Sequence, residues 1–565
     1  MTHMPRSATS LLACVLAFAV SSAGADGLVL DYGYVDQKSA AYKRFKGWVD
    51  QAVGGNPGYE FSALDAVAMF RITGLGRYCD SAVRMVQAEV DEADARIADG
   101  QRPAVAGDSY LEVGPRIGAL AQTFAACGER LSDGQRAQWT TYADRTIANV
   151  WNPKAARWGD TPAAWTGWSI DNPGNNYYYS FIEATMNWAL ASGNASWLAY
   201  LRNEKLPPLK AYYAELPGGG SLEGTGYGAA HMRLFALYRL WKDSTGEDLA
   251  NASTHLSDSI RFWVHATMPT LDRFAPIGDQ SRVSQPELYD YHRRLVLEAR
   301  ISSNDEGARA MASWWLGAIS IRQMMHGFNY RYDLLPAGES KTPPAELAWH
   351  ARGVGRLFAR TGWDRDAMWF GFGAGPYLES HAHQDQGAFT LFARDWLAVT
   401  ENIWTHSGIQ QGTEVHNVVR FERDGKTIRQ REGTVSKLEL VKLDTATGEV
   451  EAEADLTPAY GQGSGVSAWQ RRVKFSGRHL RVHDTFRTVS GTRAVFQVNV
   501  PVKPVIGDRE ARAGKLRIEV VEPADATLTA LDWSTLDAAE FRSGWRVDVE
   551  GSGNTFVVEL SHDER

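Results

Sequence analysis

Pro336-Ala-Gly-Glu-Ser-Lys-Thr-Pro-Pro344 separates two regions written in different hydrophobic periods. Its prolines and glycine interrupt regular structure, so the stretch is a linker by composition. On its N-terminal side, apolar residues return every three or four positions. Ile117, Leu120, Ala121 and Phe124 keep that spacing, and Gly128 follows as a stop signal. Tyr178 to Leu190, ending near Gly193, is a second helical run, and Met232 to Trp241 a third. Further helices are expected around Ile260 to Val264 and over Ala310 to Met325. No strict internal repeat accompanies them, so a regular solenoid is not supported. Beyond the linker the period changes to two. Arg356 to Trp363, Met368 to Phe372, Phe389 to Ala393 and Phe556 to Leu560 read as strands, most simply of a sandwich.

The 565 residues are too many for one ordinary core, in keeping with two domains over 26–340 and 341–565. A net charge of −8 argues against nucleic acid or a membrane surface as partner, although a local basic cleft could still take an anionic ligand. Twenty Trp and 21 Tyr supply flat faces that suit sugar rings, though most such residues serve the core. Residues 1–25 form an export signal: Arg6, an apolar run from Leu11 to Val20, and the small residues Ala23-Gly24-Ala25. That run is too short to span a bilayer, and no later segment has the length. A periplasmic or secreted location is therefore expected. Once the signal is removed, Cys79 and Cys127 remain, either as a disulfide or as two small core residues.

Three segments carry chemistry. Asn172-Pro-Gly-Asn-Asn-Tyr-Tyr-Tyr-Ser180 precedes an apolar helix and, taken alone, is a capping segment. Gly218-Gly-Gly-Ser-Leu-Glu-Gly-Thr-Gly-Tyr227 is glycine-rich enough for backbone to approach a ligand closely, and lacks the phosphate-binding spacings. A helix starting at Tyr227 would put His231 on the same face one turn later. In His381-Ala-His383-Gln-Asp385-Gln, alternation along a strand would turn both histidines to one side. A hairpin of Phe389–Ala393 with the residues from Trp396 would return Glu401 toward them. His416 would complete a His, carboxylate, His set suited to zinc.

The stretches Gly353 to Asp364, His381 to Phe389 and His416-Asn-Val-Val419, in that order, resemble the C-terminal domain of heparinase II/III-type polysaccharide lyases. The segment Glu223-Gly-Thr-Gly-Tyr227 and the asparagines before the helix resemble the same superfamily, alginate lyases included. The first hundred or so residues match only in helical character. The resemblance implies an N-terminal (α/α) toroid, an incomplete barrel, followed by an antiparallel β-sandwich. It places Asn176 on the asparagine that binds the uronate carboxylate, Tyr227 on the catalytic tyrosine and His381 on the active-site histidine of the β-domain. His383, Glu401 and His416 fall on metal ligands, for a zinc ion whose expected role is structural; no organic cofactor is implied. Asn175, Tyr177, His231 and Arg282 are the expected substrate-binding residues. The chain departs from the pattern twice: Tyr177 stands where histidine is usual, and Glu401 where aspartate is usual.

The implied reaction is β-elimination from an anionic uronate polysaccharide. A base removes the C5 proton, the C4 oxygen leaves, and an amide donor stabilises the enolate. Free tyrosine titrates near 10, so a tyrosine base needs positive charge or strong donors beside it. One tyrosine can serve as base and then acid when both groups lie on one face of the sugar, as at glucuronate or mannuronate. The alternatives are a glycoside hydrolase using Glu223 and Asp279 as opposed carboxylates, and a glycan-binding protein without activity.

Overall fold

The helical periods become helices where caps and stops agree with them. Asn175 caps Asn176–Ser192 by accepting from the Tyr177 N–H, and Gly193 ends it at φ 66°, a left-handed turn that costs glycine nothing. The neighbouring runs settle as Val113–Cys127, His231–Thr245 and His255–Ala266. The helix expected over 310–325 ends early, at Ala318. Side chains take over its backbone groups: Arg293 donates to the Leu316 and Ile321 carbonyls. Asp333 accepts from the Met324 N–H, and Asp290 accepts from those of Met325 and His326.

This computed structural model describes residues 27–280 and 286–563. The export signal and Arg282 lie outside the described residues. Ala63–Thr73, Val113–Cys127, Asn176–Ser192, His231–Thr245 and Asp290–Ser302 pack in succession, and Gly327–Leu334 closes the circuit against the first and last. The result is an incomplete helical toroid. Cys79 and Cys127 are joined in a disulfide between two of its helices. Among the described residues, no helix is long and apolar enough to cross a membrane.

The second domain is antiparallel throughout. Ala348–Ala351, Arg356–Arg360, Met368–Gly373, Phe389–Ala393 and Asp395–Ala398 form one sheet in that order. The expected hairpin is present, turning at Arg394 with φ 61° and setting Leu391 opposite Ala398. A larger sheet includes Val466–Ser476, His479–Thr488 and Thr555–His562, and its inner face packs on the first, with Phe370 stacked on Phe475 at 5.3 Å. Within this core Arg471 sits directly opposite Asp484, both fully buried, with nitrogen–oxygen distances of 2.7 and 2.8 Å.

The two domains share a core, since Phe358, Trp369, Phe392 and Trp396 pack into the cluster built by the toroid helices. Arg360, fully buried, reaches from its strand to the carbonyls of His265 and Thr267 at 2.8 and 2.7 Å. The Trp369 Nε1–H donates to the same His265 carbonyl. A helix C-terminus has unpaired carbonyls; here the other domain supplies their donors, which fixes the angle at which sandwich meets toroid.

Candidate active site

The glycines of the Gly218–Gly226 segment answer to protein rather than to ligand. A Cβ on Gly219 would collide with the Ser259 backbone nitrogen. On Gly224 it would collide with the Ile277 carbonyl oxygen, and on Gly226 with that of Asp279. Close approach of backbone to backbone thus requires glycine at these positions. The Thr225 N–H donates to the Ile277 carbonyl, and the Asp279 N–H to that of His381. Three strips of chain, two from the toroid and one from the sandwich, therefore lie side by side. Tyr227 and His381 are presented at their junction.

Their rings are stacked with centroids 3.6 Å apart and planes 6° from parallel. The His381 Nδ1–H donates to Asp279 Oδ2 at 3.0 Å, and its side chain keeps 26% of its surface exposed. Asn176 opens its helix, which packs against the Tyr227–Ala230 turn, and its Oδ1 is buried without a protein partner. Tyr177 donates to Asp108 Oδ1 at 3.0 Å; burial, helped by that carboxylate, pushes its hydroxyl up to about 12. Asp108, Ser109 and Tyr110 hold this contact in a turn where all three have positive φ, a conformation costing non-glycine residues about 1 kcal/mol or more each.

Two expected substrate-binding residues are turned away. Asn175 is buried, its Oδ1 used as the helix cap and its Nδ2 donating to Glu223 Oε1 at 3.0 Å. His231 is also buried, hydrogen-bonded to the Tyr213 hydroxyl at 3.1 Å and packed on Tyr179 and His255. The apolar surroundings hold its imidazole well below the ordinary histidine range. Its ring is enclosed by Tyr179, Tyr213, Phe235 and His255.

Glu223 is 1% exposed, and its Oε2 has no partner. Burial, reinforced by the nearby charge of Glu379, pushes it up to about 8. It is therefore an uncharged acid at neutral pH. Between the ordinary carboxylate range and that value, the folded chain keeps a proton that the unfolded chain has released. Stability must fall as pH rises through this window. Glu223→Gln preserves the contact with Asn175 and removes the proton. Thermal unfolding from pH 5 to 7 should show the wild type losing on the order of 2 kcal/mol more than the variant. Parallel curves would show that Glu223 titrates normally.

The expected metal set does not assemble. His381 and His383 lie in an irregular loop rather than on a strand, because their backbone pairs with Asp279 and, at Gln384, with Gln411 instead of a sheet neighbour. The His383 Nε2–H donates to Asp279 Oδ1 at 2.8 Å. The ring of His416 lies 5.2 Å from that of His383, with its Nε2 buried and unpartnered. Glu401 opens a short turn, Glu401–Trp404, and its carboxyl packs against Gly544, where an added Cβ would collide with Oε1. Burial pushes that acid up to about 10, and both of its oxygens are buried without a partner. Among the described residues, no group of three or more His, Cys, Asp or Glu side chains is arranged to hold a metal ion.

No family model matches the sequence, and no curated protein does. Solved structures do. A heparan sulfate lyase from Pedobacter heparinus superposes with a TM-score of 0.56 at 14% identity, covering 94% of this chain and 86% of its own. A heparinase III gives 0.57 at 12% identity, covering 95% and 87%. A mutant of the chondroitin AC lyase from Streptomyces coelicolor gives 0.52 at 12% identity, covering 93% and 80%. The fold is heparinase-like. At these identities the likeness establishes the fold, a helical toroid followed by a sandwich.

Two side chains of the site carry little signal in the sequence. Asp279 stands out there only as half of a hydrolase pair, and Gln411 not at all. Gln411 donates from Nε2 to both Asp279 oxygens at 3.2 Å and to the Ser380 carbonyl at 2.9 Å. No local pattern marks either residue, because their partners are distant in the chain.

Proposed function

We propose that the protein is a polysaccharide lyase that cleaves an anionic uronate polymer by β-elimination. The observation that carries this reading is the Tyr227–His381 stack where toroid and sandwich meet. Tyr227 takes the C5 proton and returns it to the C4 oxygen. The Asn176 amide donates to the sugar carboxylate as its charge grows in the enolate. A neutral Glu223 spares the site a negative charge that would repel an anionic sugar.

The hydrolase alternative needs two free, opposed carboxylates. Both Asp279 oxygens accept from histidine, and Glu223 is buried against Asn175. Neither faces open cleft. Export to the periplasm or beyond is part of the same proposal, supported by residues 1–25 and by the Cys79–Cys127 disulfide.

Stereochemistry follows from what stands around Tyr227. Tyr177, hydrogen-bonded to Asp108 and held protonated, is no second base. His381 lies flat on Tyr227 and so approaches substrate from the tyrosine's side. With acid and base on one side, the C5 proton and C4 oxygen must share a face of the ring. Polymers of glucuronate or mannuronate should therefore be cleaved, with ultraviolet absorbance of the unsaturated product as readout. Efficient cleavage of polyguluronate, or of sites bearing only iduronate, would overturn the single-sided mechanism.

A further inference from the structure

We infer that Asp279 is the positioning residue of this site, a carboxylate of the toroid that clamps both histidines of the sandwich loop where the sequence suggested a metal. The inference deepens the lyase reading and rests on it for the role of His381.

Asp279 has the geometry of a clamp. Its Oδ2 accepts from His381 Nδ1 at 3.0 Å and its Oδ1 from His383 Nε2 at 2.8 Å. Its own N–H is bonded to the His381 carbonyl at 2.9 Å, so ring and backbone of His381 are held by one residue. Gln411 braces the carboxylate from the far side and ties it to the Ser380 carbonyl. The side chain of Asp279 is 8% exposed, which keeps water from competing for these bonds. With Nδ1 engaged, Nε2 is the nitrogen that His381 can offer to a ligand. The bond also fixes the ring plane, and with it the stack on Tyr227.

The clamp spans the domain boundary. Asp279 follows the strip bonded to Thr225, whereas both histidines belong to the sandwich. The glycine that precedes it, Gly278, has φ 69°, and a Cβ there would lie 2.7 Å from the His381 carbonyl oxygen. Toroid and sandwich must therefore seat together before Tyr227 and His381 can stack. One carboxylate thus orients two histidines across the interface.

The test is Asp279→Asn in the full-length protein. An asparagine oxygen can accept from one histidine, but its amide cannot accept from the other. We expect kcat to fall by about 10- to 100-fold with KM nearly unchanged, as when a bond that orients a working histidine is lost. Spectra of protein labelled with ¹⁵N at histidine give a readout independent of substrate. The wild type should show Nδ1–H signals from His381 that the variant lacks or shifts, whether or not any polymer is turned over. Gln411→Ala, which loosens the brace alone, serves if Asp279→Asn does not fold, and should lower kcat several-fold. Unchanged kcat together with unchanged histidine spectra would refute the inference. So would one equivalent of zinc in wild-type protein whose removal by chelator shifts the His381 signals.

Discussion

Tyr227→Phe should leave the fold intact and reduce turnover by about three orders of magnitude or more, because one hydroxyl carries the proton both ways. The ring can remain in its stack on His381, since that contact involves the face and not the oxygen. Substrate affinity should change little, so the loss should appear in kcat. Circular dichroism and the unfolding midpoint should match the wild type. Near-normal turnover by Tyr227→Phe would remove tyrosine from the proton path and leave His381 as the base.

The second large effect is on stability. Asp484→Asn should destabilise the sandwich by about 3–5 kcal/mol, because Arg471 would remain fully buried with its counter-charge gone. Arg471 also donates to the carbonyls of Gly387 and Asn417, at 2.6 and 3.1 Å. Those residues follow the loop of His381 and His383 and the position of His416, so a displaced guanidinium would disturb the site from behind. A control lies one residue along the strand. Arg472 pairs with Glu451 and Glu453 in solvent, with 46% of its side chain exposed. Arg472→Ala should cost under about 1 kcal/mol. Denaturant midpoints that fall equally in the two variants would contradict this ranking.

The fold is legible in the sequence because local and global signals agree. Gly193 and Gly246 stop helices whose apolar faces point to one core. Phe389–Ala393 and the strand after it pair as the expected hairpin, with a register shift between Leu391 and Phe392. Tyr227, Asn176 and His381 stand out in the sequence by their motifs, and the fold stacks Tyr227 on His381. What fails depends on long-range partners. His231 follows a glycine segment in a pattern that does not distinguish a core face from a cleft face. Its burial comes from Tyr213 and His255, on other elements. Glu401 has the spacing of a ligand, but the turn it opens sends its carboxyl to Gly544. At His381 and His383 a period of two suggests a strand that does not form. The backbone there bonds to Asp279 and Gln411, and the residue that holds the pair belongs to the other domain.

Elimination and hydrolysis leave different products, and the products decide between them. A glucuronate or mannuronate polymer digested by the wild-type protein should yield oligosaccharides whose new non-reducing ends carry a C4–C5 double bond. They would absorb in the ultraviolet and weigh one water less than their hydrolytic counterparts. Saturated products that have gained a water, with no rise in absorbance, would contradict the account.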